Sequence, residues 1–225
     1  MAKETRQFGF DTSSLSTAKP LLPNGFYAGV MDNATIEGKE GKQYFKIRKE
    51  MEWDKDIKGK RNETGEYELA GMMMYRVILT SKQAIKTLQQ DEPFIFGGQI
   101  FFNFDKKSYN MLDNVQLGQL LEALDLKDHD FQAEVDFDFD DDIEVPEEFA
   151  GVEDIVTKLN GLQYAKELIS VICRTINGMS VKAHVIQQAN NQDPDIQENA
   201  LSMARGASCG ILSYEEGAEE DLEED

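Results

Sequence analysis

Three stretches of this 225-residue chain alternate apolar and polar side chains at period two, and that pattern commits much of it to a sheet. Across residues 43–53, Phe45, Ile47, Met51 and Trp53 fall on one face, and Tyr44, Lys46, Arg48, Glu50 and Glu52 on the other. Across 67–80, Tyr67, Leu69, Met73, Tyr75, Val77 and Leu79 share a face. Across 94–104, Phe94, Phe96, Ile100, Phe102 and Phe104 do the same, which leaves Phe101 pointing the other way. Gly97-Gly98 inside that run marks a bulge or a close backbone approach. Each stretch predicts a half-buried strand. Phe26, Ala28, Val30, Ala34 and Ile36, interrupted by Asp32, predict another after the Pro23-Asn24-Gly25 turn, and Val181, Ala183 and Val185 predict a last one.

Helical spacing appears at 114–126 (Leu117, Leu120, Leu121, Leu124) and at 161–176, where Asn177-Gly178 supplies a left-handed stop. Ser81 is placed to cap a short helix through Gln90, and Asp193-Pro194 to open another reaching about Ala204. Hairpin-linked strands with a few helices give an α+β chain. The order suits a small antiparallel OB-like β-barrel with added helices and an acidic disordered C-terminal tail. The expected organisation is a flexible arm at 1–22, one domain at 23–204 with an acidic insertion near 125–154, and a tail at 205–225.

The formal net charge is −20, and it is concentrated. Residues 215–225 carry eight acids and no base, and residues 125–154 carry fourteen acids against Lys127 alone, so the remainder is close to neutral. A balanced body with two acidic segments is expected to interact through those segments. The run Asp136 to Asp142 lacks the turn glycine and spaced ligands of a calcium loop and reads as a solvated connector.

Several classes are excluded or disfavoured. No apolar run approaches the ~18 residues of a membrane span, and the first residues lack a secretory core, so a cytoplasmic protein without membrane contact is expected. Two cysteines and two well-separated histidines make neither a disulfide framework nor a four-ligand zinc site. There is no phosphate-binding Gly-rich loop and no nucleophile elbow. No enzyme activity, cofactor or metal is expected.

The positive signal lies on the strands. Between Lys39 and Arg61 nine basic residues face five acids. Tyr44, Lys46 and Arg48 share one strand face, combining a stacking ring with cations as single-stranded nucleic acid requires. The candidate phosphate contacts are Lys42, Lys46, Arg48, Lys49, Lys58, Lys60 and Arg61, with Lys106 and Lys107 beyond the Phe-rich strand. Tyr44, Phe101 and Tyr109 are the candidate stacking rings, and Trp53 is assigned to the core.

Leu22-Pro23-Asn24-Gly25-Phe26-Tyr27-Ala28-Gly29-Val30, Tyr44-Phe45-Lys46-Ile47-Arg48, Tyr75-Arg76-Val77, the Leu117-to-Leu124 helix and Val181-Lys182-Ala183-His184-Val185 form a layout that resembles bacteriophage-encoded OB-fold single-stranded DNA-binding proteins. The likeness spans roughly residues 22–190 and includes an acidic C-terminus, without a diagnostic short motif. It implies sequence-independent coating of single-stranded DNA during replication, recombination and repair in the host cytoplasm. It also implies a tail that modulates DNA binding and contacts replication or recombination proteins. The chain departs from the pattern in its long acidic segment and helix at 125–176, and in ending Leu222-Glu223-Glu224-Asp225 without a terminal aromatic. The rival expectation is an acidic interaction protein or DNA mimic that binds a basic partner.

Overall fold

The computed structural model describes residues 21–36, 44–82, 84, 93–135, 145, 147–190, 192–202 and 209–213. The strands are β1 (Gly25–Thr35), β2 (Lys46–Trp53), β3 (Arg61–Leu79), β4 (Ile95–Phe102), β5 (Ser180–Ala189), β6 (Gln197–Leu201) and β7 (Ile211–Leu212). The helices are α1 (Val115–Ala123) and α2 (Ile155–Ile176), with a 3-10 turn at Glu147–Phe149. All ladders are antiparallel, in the order β2-β3-β1-β5-β6, with β4 also on β3 and β7 also on β5. The α+β class is thus present. The sheet itself is unclosed: β4 and β6 face each other across a gap lined by Ile95, Gly97, Ile186, Glu198 and Ala200, and no ladder joins them.

Alternation decides what is buried. Leu69, Met73, Tyr75, Val77 and Leu79 of β3, and Phe96, Ile100 and Phe102 of β4, all point inward as their spacing predicts. α1 covers them with Leu117 and Leu120, and α2 with Ala165, Ile169, Ile172 and Ile176. Asn114 caps α1, its Oδ1 accepting from Leu117 N–H at 3.0 Å. Gly178 takes φ +84° where α2 stops. Gly97-Gly98 is a close approach and no bulge, because the β3–β4 register runs through it unbroken.

Four expectations need correction. In β1 the inward residues are Tyr27, Gly29 and Met31, while Phe26 is 61% exposed. A bulge between Asp32 and Thr35 then moves Ala34 and Ile36 inward. It forms where the end of α2 docks: Met31 N–H bonds Met179 O, and Ala34 N–H bonds Asn177 Oδ1. In β2 the inward set stops at Ile47; beyond a register irregularity between Lys49 and Met51 the hairpin projects past the core, and Met51 and Trp53 are exposed. The helix expected after Asp193-Pro194 is a turn followed by β6. Asn190 Oδ1 accepts from Gln192 and Asp193 N–H and folds the chain back onto β5. Finally, α2 begins six positions before the expected start, because Ile155, Val156 and Leu159 have apolar partners in Ile47 and Leu69.

Of the acidic segment, residues 136–144 lie outside the described residues, as do the arm to residue 20 and the tail from 214. The described acids Asp125, Asp128, Asp130, Glu147 and Glu148 are exposed, while Phe131, Phe149 and Val152 anchor the segment to the core. Leu22 is fully buried, its N–H and C=O both held by the Asn199 amide. Ser81 Oγ accepts from Ala84 N–H, as a cap would, but the helix body lies outside the described residues. Among the described residues no helix is long and apolar enough to cross a membrane.

Both cysteines are buried, and burial pushes the Cys173 thiol up to about 12 and raises Cys209. Neither should form thiolate at pH 8. A thiol reagent is therefore expected to label the native protein negligibly and both sites in denaturant. Rapid native labelling would contradict the packing of both.

Candidate nucleic-acid interface

Because Phe45 and Ile47 turn inward, Tyr44, Lys46 and Arg48 must turn outward, and the β3 residues beside them are Met72, Ala70 and Glu68. Met72 N–H donates to Tyr44 O at 3.1 Å on one side of β3, and Met72 pairs with Phe101 of β4 on the other. Tyr44, just before β2, Met72 of β3 and Phe101 of β4 therefore form one row. Phe101 is 61% exposed and Tyr44 half-buried, its hydroxyl donating to Met74 Sδ. Asn114 Nδ2 donates to Phe101 O at 2.7 Å, fixing the end of β4 with the same amide that caps α1.

A groove of about 880 Å³ runs along this face, past Gly65–Tyr67 and Asn103–Lys106 to the segment Gly151–Asp154. Its cations differ in freedom. Arg48 pairs with Glu68 at 2.8 Å, and Lys106 bonds Glu50, which raises the Lys106 pKa. Lys46 has no ion-pair partner among those described. Surface pairs of this kind contribute ~0–1 kcal/mol, weak enough for a phosphate to take over the cation. Glu50, Glu66, Glu68, Asp105, Glu153 and Asp154 also line the groove and outnumber its bases.

The remaining predicted contacts divide into groups. Lys49, Lys58, Lys60 and Arg61 sit on the β2–β3 hairpin, with Lys49 bound to Glu63 at 3.0 Å and Lys60 3.6 Å from Asp54. Lys107 is exposed on a loop held by Asp105, whose carboxylate accepts from Ser108 and Lys107 N–H and is thereby held below its usual range. Lys42 lies outside the described residues. Tyr109 lines the same groove but is buried in its wall, so its ring is not an exposed stacking surface. It is 8% exposed, with φ 57°, and its hydroxyl meets the buried Lys158 Nζ at 2.9 Å. That partner comes from α2, so nothing local in the sequence announced its burial.

No family model, curated protein or solved structure matches the chain. The site therefore rests on its own geometry. Among the described residues, no group of three or more His, Cys, Asp or Glu side chains could hold a metal ion.

The functional candidate that sequence reasoning passed over is Trp53, 60% exposed with the Arg61 guanidinium 4.2 Å above its ring. A signal was present: residues 61–66, the strand that faces it, contain no apolar side chain and could not build a core there.

Proposed function

We propose that this chain binds single-stranded DNA without sequence preference, on the outer face of β2, β3 and β4. The carrying observation is the row Tyr44–Met72–Phe101 beside the unpaired Lys46. The rings offer stacking surfaces that any base can use, at ~1–3 kcal/mol each, and the ammonium offers a phosphate contact. Roles in replication, recombination and repair, a phage setting, and a tail that competes with DNA or docks replication proteins belong to the same proposal and draw on the resemblance. The groove's surplus of carboxylates favours a second reading, an acidic surface that engages a basic protein.

Titration of labelled single- and double-stranded oligonucleotides at two salt concentrations separates the two. The single strand should bind more tightly, with affinity falling steeply as salt rises. Replacing Lys46 and Arg48 together by Ala should weaken binding and reduce the log–log salt slope by ~0.7 per lost phosphate contact. Both side chains point away from the core, so the melting temperature should hold. Unchanged affinity in the folded double variant would move the DNA elsewhere. Absence of single-strand binding by the unaltered protein at low salt would leave the acidic-surface reading.

A further inference from the structure

We infer that the β2–β3 hairpin is a second single-strand contact, in which the exposed face of Trp53 stacks on a base; this rests on the single-strand reading above. The hairpin leaves the core after Ile47 and Leu69, and from Met51 to Arg61 every residue but Asp54 is exposed. Its rungs are Met51–Glu63, Glu52–Asn62 and Trp53–Arg61. An indole held in water this way gains nothing from core burial, and its one recorded ring partner is the Arg61 guanidinium on one face. The exposure of the ring leaves the other face available.

The tip is preorganised. Asp54 Oδ1 accepts from Asp56 and Ile57 N–H at 2.8 and 3.0 Å, and Asp54 Oδ2 from Asn62 Nδ2 at 2.9 Å. These bonds hold the Asp54 carboxyl below its usual range, the Asn62 bond foremost. Asp54 N–H to Lys60 O closes the loop, and Gly59 at φ +85° makes the turn. Lys55 and Lys58 are exposed on that fixed loop and have no ion-pair partner among those described. A flat ring backed by a cation, with free ammonium groups nearby, matches a nucleotide's base and phosphate together. An acidic peptide would satisfy the ammonium groups and leave the ring face unused. Glu50, Glu52, Glu63 and Glu66 stand between this tip and the Tyr44–Phe101 row. The two contacts are therefore separate patches, reached together only by a strand long enough to pass the acids.

Trp53 is the sole tryptophan, so its fluorescence reports on the tip directly. In the full-length protein at low salt, oligo(dT) of about 16 nucleotides, a length typical of single-strand-binding sites, should quench it. Trp53→Ala should weaken binding of that oligonucleotide roughly 5- to 150-fold, as expected for one lost stacked base, and Trp53→Phe should restore most of it. If oligo(dT) binds, and binding depends on Lys46 and Arg48, but Trp53 fluorescence and Trp53→Ala affinity are unchanged, the hairpin inference is overturned and the groove reading stands. If the unaltered protein binds no oligo(dT), both fall. Quenching by phosphatidylserine–phosphatidylcholine vesicles but not by oligo(dT) would also overturn the inference, in favour of a lipid surface.

Discussion

Phe102→Ala is expected to cost about 3–5 kcal/mol of stability, and Phe101→Ala, one position away, almost none. Phe102 is 4% exposed and stacks on Phe45 with ring centroids 5.8 Å apart, so truncation leaves a cavity between β2 and β4. Phe101 projects into solvent, and its loss should appear as weaker single-strand binding. For a chain of this length the Phe102 variant should melt roughly 6–20 °C lower. Paired thermal melts check the assignment. A larger drop for Phe101→Ala would reverse the faces of β4 and remove the ring from the proposed site.

Gly98→Ala should destabilise through the opposite fault, excess volume. A methyl at Gly98 would sit 2.2 Å from Cζ and Oη of Tyr75, the residue directly opposite on β3. Tyr75 has no exposed surface, and its hydroxyl donates to Cys209 O at 2.6 Å, so the ring cannot swing clear without orphaning a buried carbonyl. Overpacking of this kind costs about 1–3 kcal/mol. Gly97→Ala is the internal control, since its methyl would meet only an ordinary contact, 3.4 Å from Tyr75 O. Equal melting temperatures for the two variants would show that β4 is free to shift relative to Tyr75.

The parts of the fold legible in sequence were those where one period runs unbroken. β3 from Leu69 to Leu79, β4, and the apolar stripe of α2 each keep a constant phase, so burial could be read by counting. β1 and β2 could not be read that way: a bulge flips the phase of β1 partway along, and β2 keeps its alternation but runs out beyond the core after Ile47. The β1 bulge depends on Asn177 arriving from the far end of α2, which no local window contains. Tyr44, Lys46, Arg48 and Phe101 were recoverable as outward residues. Their gathering into one row required the β2–β3 and β3–β4 registers. The ion pairs that neutralise Arg48, Lys49 and Lys106 were not recoverable, since each joins residues at least 14 positions apart.

The place of β1 in the sheet has a consequence for how the chain is made. β1 sits between β3 and β5, and its pairing with β5 is reinforced by Asn24, whose side chain accepts from Gln187 N–H across 163 positions. During synthesis β3 can pair with β1 early, but β5 emerges only after both helices have been translated. Until then β1 exposes an unsatisfied hydrogen-bonding edge, the kind of surface through which nascent chains misassociate. The closure entropy of so long a loop is also met before the pairing stabilises anything. Completion of the sheet thus waits on β5, which must find the first strand of the chain long after that strand was made.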